Sequence, residues 1–379
     1  MGLLDAIKSA FRDPVDCVIT VDDRPVVDLY PFLRDVTVEL SRTDASTATL
    51  TFESQRDEHG RWSVQDSGAF ALWQPIAIAA AFGAHHEDLF RGYIREINAS
   101  YPADAADALV TIECQDESLA LDREHVRKTC GGDAPTTDAA IIAELAHKHG
   151  LALNELNGVG LSNLVLHQST TDIRFLRERA EANGYELYVR SGELYFGPMQ
   201  VDTPSPQPTI LVYAGPDTSC ISLSIQSDGH RPNKIAFDLA PTEGTEIKHK
   251  EVSADLSLLG PVPAADDAAG LKPFTWILSK KGSYDEDELT ARAQQIANDS
   301  SMRVRADGEL DGTIYGHVLL PGLPVSVDGA GDTLGGVYYV DHVTHVIDTD
   351  GYRQKFRLLR NAFGDNLNGG GLDRLAGIR

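Results

Sequence analysis

Cations are scarce in this 379-residue sequence: 33 Lys and Arg stand against 57 Asp and Glu, a formal net charge of −24. A general nucleic-acid binder needs a basic surface to displace counterions from phosphates, so specific nucleic-acid binding is not expected. Two readings of the acidity stand side by side: solubility, and an acidic wall past which repelled phosphates slide without adhering. Cysteine is nearly missing. The four present, Cys17, Cys114, Cys130 and Cys220, form no CxxC pair. That spacing excludes a disulfide framework and points to a reducing cytoplasm. Cys17 and Cys114 sit in apolar strand-like runs, where a reduced thiol acts as a small hydrophobe.

No stretch of about 18 uncharged apolar residues exists, so no membrane-spanning helix is expected. The longest apolar run, Ile76 to Gly83, is strand-sized. The opening MGLLDAIKSAFRDP lacks the basic start, apolar centre and cleavage site of a secretory signal. Ala6 also stands where a myristoylation motif wants Ser or Thr. Walker, GxSxG and HExxH sequences are all missing. Gly329, Gly331, Gly335 and Gly336 read as loop glycines, with no helix after them to hold a phosphate. Carboxylates are too abundant to single out a glycosidase pair. No catalytic, cofactor-binding or metal-ligating residue is assigned, no cofactor is expected, and the chain reads as a non-enzyme.

What is present is strand pattern. A chain of this length suggests two or three domains. Residues 3–12 could form a short amphipathic helix ended by Pro14. Val15 to Val21, Val36 to Leu40, Ala48 to Phe52, Pro75 to Phe82, Leu89 to Ser100 and Ala108 to Gln115 are short, β-branched or alternating segments. Their spacing argues for a small closed or nearly closed barrel. The texture changes near Leu119. Thr136-Thr137-Asp138 introduce a helical pattern at Ile141, Ile142, Leu145 and Ala146 that Gly150 follows. A second helix begins at Asp172, carries Phe175, Leu176 and Ala180 on one face, and closes at Gly184. YELYVR and ELYFGP then read as a hairpin turning at Ser191-Gly192. Beyond the proline-rich VDTPSPQP (201–208), strands resume at Ile210 to Tyr213, Cys220 to Ser227 and Lys234 to Leu239. Residues 259–273 look like a surface loop, and Asp285 to Met302 a helix. The last strands are expected at Arg303 to Glu309, Thr313 to Leu319, Pro324 to Val327, Tyr338 to Asp348 and Arg353 to Leu359.

The expected fold is therefore mainly β with an α+β insert: two β-barrel-like tube domains flank a small α/β domain. The boundaries are an N-terminal helix or arm over 1–14, a first barrel over 15–118, the insert over 119–200, a second barrel with its own loop and helix over 201–363, and a flexible tail over 364–379. The two strand-rich blocks are comparable in kind without obvious sequence repetition. The histidines attract bland readings. His342 and His345 are three apart on a strand and point to opposite faces, which argues against shared zinc. His147 and His149 flank Lys148 at a helix end, where the dipole favours cations. His85-His86-Glu87 reads as a solvated hairpin loop, and the acidic runs at Asp22-Asp23 and Tyr284 to Glu288 as solvated loops.

The segment QSTTDIRFLRERAEANGYELYVRSGELYFGP (168–198) resembles the phage late control D family, which includes the T4-type baseplate hub and the N-terminal half of VgrG spikes. FRGYIREINASY (90–101) resembles that family's first-barrel strand. LLPGLPVSVDG (319–329), GGVYYVDHVTHVID (335–348) and GYRQKFRLLRNAF (351–363) resemble the end of its second barrel. Gly184 would end a helix, Pro321 and Pro324 around Gly322 would make a turn, and Tyr185, Tyr188, Tyr195 and Phe196 would pack the hairpin on the two helices.

The resemblance implies a structural baseplate hub subunit of a contractile phage tail or injection system. Three chains with two barrel-like domains each would form a pseudo-sixfold ring adapting a hexameric tail tube to a trimeric spike. The partners implied are two further copies, tube protein above, spike protein below and baseplate wedge proteins. Membrane contact would come only through the assembled machine, which would be built in the bacterial cytoplasm and belong to a virion tail or injection particle. The sequence stops after Phe363 with a short glycine-rich tail, so the spike is expected as a separate protein, with residues 364–379 docking on it or lining the hub exit. Two alternatives belong to other classes: a tail-associated peptidoglycan hydrolase and a carbohydrate-binding tail protein. A distal tail protein of a non-contractile phage is a rival within the structural class.

Overall fold

The computed structural model describes residues 15–103, 107–203, 207–239, 248–265, 272–278 and 286–367. The expected N-terminal helix and the tail from residue 368 lie outside that set, as do parts of the 201–208 connector, the 259–273 loop and the Tyr284 to Glu288 run.

The first block is built from alternation. In Thr47–Ser54 and Ala108–Asp116 every second side chain is buried. Ala48, Leu50 and Phe52 face inward with Val110, Ile112 and Cys114 against Val36, Val38, Ile19, Ile76 and Ile78. A period of two can bury only one face, so the intervening threonines and glutamates lie on the other. Tight turns set the edges: Asp22 and Asp23 both take positive φ between Val21 and Arg24, a conformation that aspartate tolerates better than most residues.

The six main strands of this block, in chain order, are Val15–Val21, Leu33–Ser41, Thr47–Ser54, Pro75–Phe82, His85–Ser100 and Ala108–Asp116. They lie side by side as first, fourth, fifth, sixth, third, second. The second block has six main strands as well: Gln207–Leu211, Cys220–Ser227, Val304–Asp311, Pro324–Asp328, Gly336–Asp348 and Gly351–Arg360. Their lateral order is the same. One direction differs, since the first and fourth strands pair antiparallel in the first block and parallel in the second. The fold is thus an internal duplication with little trace in the sequence.

The two blocks are parts of one 13-stranded sheet. Strand Gly336–Asp348 pairs through its second half with Leu33–Ser41, from His342↔Ser41 to Ile347↔Val36. The mainly β architecture with a small helical share is as expected. The barrels are not closed: among the described residues the sheet has free ends, because strand pairs join the blocks to each other instead of closing each on itself.

Between the blocks, helices Asp138–Lys148 and Asp172–Asn183 pack with the hairpin Glu186–Arg190/Glu193–Gly197 around Leu145, Leu176, Val189 and Phe196. Gly184 ends the second helix at φ 66° and Tyr185 N–H donates to Ala180, the left-handed cap that favours glycine. In the second block, residues 228–303 interrupt the sheet with strands Lys234–Leu239, Lys248–Ser253 and Thr275–Ile277 and helix Glu286–Ser301. Leu289, Ala293 and Ala297 pack this helix on Ile235 and Phe237.

Several expectations are corrected. Thr313 to Leu319 is not a strand. Asp311 accepts from Ile314 N–H and Gly316 sits at φ 72°, so these residues close a single helical turn over Gly312–Tyr315. Gly331–Leu334 is likewise one turn of helix within the expected glycine loop. Only Phe196, with Tyr185 edge-on at 5.2 Å, faces the insert helices. Tyr188 and Tyr195 stack on each other at 4.9 Å on the opposite hairpin face, as the two-residue period of a strand demands. The expected flexible tail is held at its start: Gly364 and Asp365 donate to Thr333 and Asp332.

Candidate assembly interface

Cross-strand registers trace one face through eight consecutive strands, from Cys220–Ser227 at one end to His85–Ser100 at the other. Ser224 lies opposite Asp307, Asp307 opposite Arg357, and Arg357 opposite His342. Thr344 lies opposite Glu39, Thr49 opposite Glu113, and Thr111 opposite Asn98. Most side chains of this face are polar, with Leu109, Val346 and Leu359 as apolar exceptions, while the main apolar cores of the two blocks lie on the other side. Carboxylates and cations interleave on it: Asp307 receives both Arg305 and Arg357, and Arg353 lies 3.6 Å from Glu309. An open depression of about 400 Å³ on this face is lined by Asp307, His342, Lys355 and Arg357.

The joint between the blocks is fixed by buried charge. Arg42, 13% exposed, donates to Asp341 Oδ1 at 2.7 Å and to Glu186 Oε1 at 2.6 Å. Tyr339 O–H donates to Glu186 Oε2 at 2.7 Å. First block, insert and second block therefore meet at one guanidinium. Burial raises the Glu186 carboxyl above its usual range, and Arg42 opposes this. Burial disfavours the Arg42 charge, but the Glu186 and Asp341 carboxylates outweigh it and hold its proton more tightly.

Both ends of the polar face are unpaired among the described residues. The Cys220–Ser227 strand pairs only with Val304–Asp311. It is mostly exposed, with Ile221 49% exposed. At the other end, Pro75–Phe82 covers only His85 to Tyr93 of its long neighbour. Residues 95–100 beyond are all exposed, and Ala108–Asp116 is their single strand partner. By the duplicated order, these two edges correspond to the two that join inside the chain. Leu33–Ser41 matches Cys220–Ser227, and the second half of Gly336–Asp348 matches residues 95–100.

The histidines fall as follows. His342 lies on the polar face. His345 is fully buried, bonded to the Tyr352 hydroxyl at 2.8 Å and pushed down to about 3 by burial. Lys148 and His149 both meet the buried carboxylate of Asp172 at 2.8 Å, so this helix end is tied to the second helix as well as to its own dipole. The expected solvated loop at His85-His86-Glu87 is instead the start of a strand, and Glu87 is bonded to His85 and His317. His317, 230 residues further along, gave no sequence signal. Half-buried Cys17 and buried Cys114 have thiols that desolvation pushes up to about 12, as inert packing groups do.

A family model described as the Alg8 N-terminal domain matches residues 12–349. The chain belongs to that family. The description names no activity. No curated protein matches the sequence. Solved structures match far more of the chain than their identity suggests. The 43 kDa tail protein of prophage MuSo2 from Shewanella oneidensis superposes at a TM-score of 0.67 with 12% identity, covering 92% of this chain and 99% of its own. A tail protein from Neisseria meningitidis MC58 gives 0.64 with 14% identity, covering 92% and 97%. An Escherichia coli type VI secretion component, described as structurally similar to T4 bacteriophage tail proteins, gives 0.52 with 10% identity, covering 92% and 77%. At such identities the likeness is one of fold: this chain has the fold of phage tail proteins. Among the described residues no helix is long and apolar enough to cross a membrane.

Proposed function

We propose that the chain is a non-enzymatic baseplate hub subunit of the late control D type. Three copies close into a ring of six similar units between a hexameric tail tube and a trimeric spike. Residues 15–118 and 201–363 act as the two tube domains and 119–200 as the insert between them. The observation that carries this reading is the pair of matching free edges. An exposed strand edge invites pairing with another chain, and folded proteins cover or blunt such edges. Here the chain contains a template for the cover, in the registered joint between Leu33–Ser41 and Gly336–Asp348. Repeating that joint between copies, Cys220–Ser227 of one on residues 95–100 of the next, gives a head-to-tail contact that generates a ring when its rotation closes.

Three eight-strand ribbons make a barrel of 24 strands. At about 4.8 Å per strand this barrel is roughly 37 Å across untilted, and about 45–52 Å at strand tilts of about 35–45°. The polar face lines that channel and offers a passing chain or duplex mainly hydrophilic side chains. The fold of phage tail and type VI secretion proteins supports the same role. Tube protein, spike and wedge proteins are the expected neighbours. Assembly takes place in the bacterial cytoplasm, and the product is part of a virion tail or injection particle.

The experiment is particle mass by mass photometry, on the chain alone and with its spike partner. The expected result is a three-copy particle, reduced by Ile221→Lys to one copy that still unfolds in a single cooperative transition. A two-copy particle, or Ile221→Lys rings of full size, would overturn the proposal.

A further inference from the structure

We infer that His85, Glu87 and His317 form a binding site for one divalent transition-metal ion of the zinc class, bridging the two sheet blocks. His85 Nε2 lies 2.6 Å and His317 Nδ1 2.7 Å from the same oxygen, Glu87 Oε1. The three ligand atoms all lie within 4.8 Å of one another. Two imidazoles and one carboxylate are a borderline donor set suited to zinc, and three protein ligands leave a position for water. Zinc bonds of about 2.0–2.2 Å need ligand atoms roughly 3.3 Å apart. The two contacts to Glu87, at 2.6 and 2.7 Å, must therefore open by roughly 0.6–0.7 Å, which half-exposed imidazoles can do.

The carboxylate is already aimed. Val318 N–H donates to its other oxygen, Oε2, at 2.5 Å, the kind of outer bond that fixes a metal ligand and leaves its partner oxygen free. The site is also open to entry, since His85 is 55% and His317 43% exposed.

The location gives the ion a purpose. Glu87 and His85 begin the first block's longest strand, whereas His317 follows the Gly312–Tyr315 turn of the second block. Beside it, Val318 and Tyr352 of the second block pack into the first block's core. A bound ion would clamp that crossing from outside. This inference is independent of the ring, because all three ligands belong to one chain.

The test uses the full chain, freed of metal with a chelator and titrated with zinc(II) at pH 7.5 by calorimetry and thermal melting. The expected result is one equivalent bound, with a rise in melting temperature that His85→Ala and His317→Ala both lose. Each protein is compared with its own metal-free melting point, so the contact to Glu87 that a variant loses does not enter the zinc-induced rise. Cobalt(II) should give visible bands in the wild type that are missing in both variants. Equal uptake by wild type and His317→Ala would overturn the inference. So would failure of the wild type to bind zinc, which would leave the three side chains as a hydrogen-bonded clasp.

Discussion

Replacing Arg42 with Met keeps much of the side-chain volume but removes the charge at the three-way joint. It leaves Glu186, 5% exposed, and Asp341, 22% exposed, without their shared partner. Removing one member of a buried pair costs about 3–5 kcal/mol, because the remaining charge stays desolvated. Asp341 reaches water, so the lower end, about 3 kcal/mol, applies. At about 2 °C per kcal/mol for a long chain, the melting point should fall by about 6 °C at pH 7.5. Acidity supplies an internal control. The folded Glu186 carboxyl is already raised above its ordinary value. Its stabilising contribution is therefore fully present below the unfolded value and is lost as pH rises through the folded one. Without Arg42 the folded value rises further, so the deficit should shrink as pH falls toward about 4.5. Adding Glu186→Gln should recover most of the lost stability at pH 7.5. Differential scanning calorimetry of the two variants at both pH values is the assay. A melting point within 1 °C of wild type at pH 7.5, or a deficit that grows on acidification, would refute the reasoning.

Other outcomes follow from single environments. His345, pushed down to about 3, contributes stability that is complete above about pH 6.5 and lost as pH falls toward 3. By pH 5 the loss should be about 2 kcal/mol, and His345→Gln should flatten that limb in urea titrations. Asp116 acts in the opposite sense. Burial lifts it from 3.8 to about 6, so it favours the fold below pH 4 and loses up to about 3 kcal/mol as pH rises past 6. A stability–pH curve for Asp116→Asn should lack that fall. A Cβ on Gly92 would lie 2.1 Å from the Gln115 carbonyl oxygen, backbone that cannot move aside. Gly92→Ala should cost about 2 kcal/mol or more by denaturant titration.

Legibility in the sequence followed the range of the interaction. Pro75–Phe82 and Cys220–Ser227 could be bounded from residue pattern, because alternation and turn residues are local signals. The helix ending at Gly184 was equally readable from its cap. The misses were local competition or long range. Asp311 capping Ile314 turned an apolar run into a helical turn, a choice made by one side-chain bond. Tyr188 and Tyr195 fall on the hairpin face away from the helices because the two-residue period of a strand, not aromatic content, sets the side a residue takes. The joint of residues 36–41 with 342–347, the Arg42 cluster and the His317–Glu87 contact link positions far apart in the chain, where no periodicity carries information. The duplication was hidden for a related reason: lateral strand order is set by which apolar faces meet, and unrelated side chains can satisfy the same order.

The duplication also frees the two halves from having to be alike. The excursion at 228–303 leaves the second half between its second and third strands, while the first half makes that link in a few residues, 42–46. In the proposed ring such an appendage would recur at every other station. One polypeptide would then show near-uniform sixfold rims to one neighbour and three separated protrusions to another, without any subunit changing conformation.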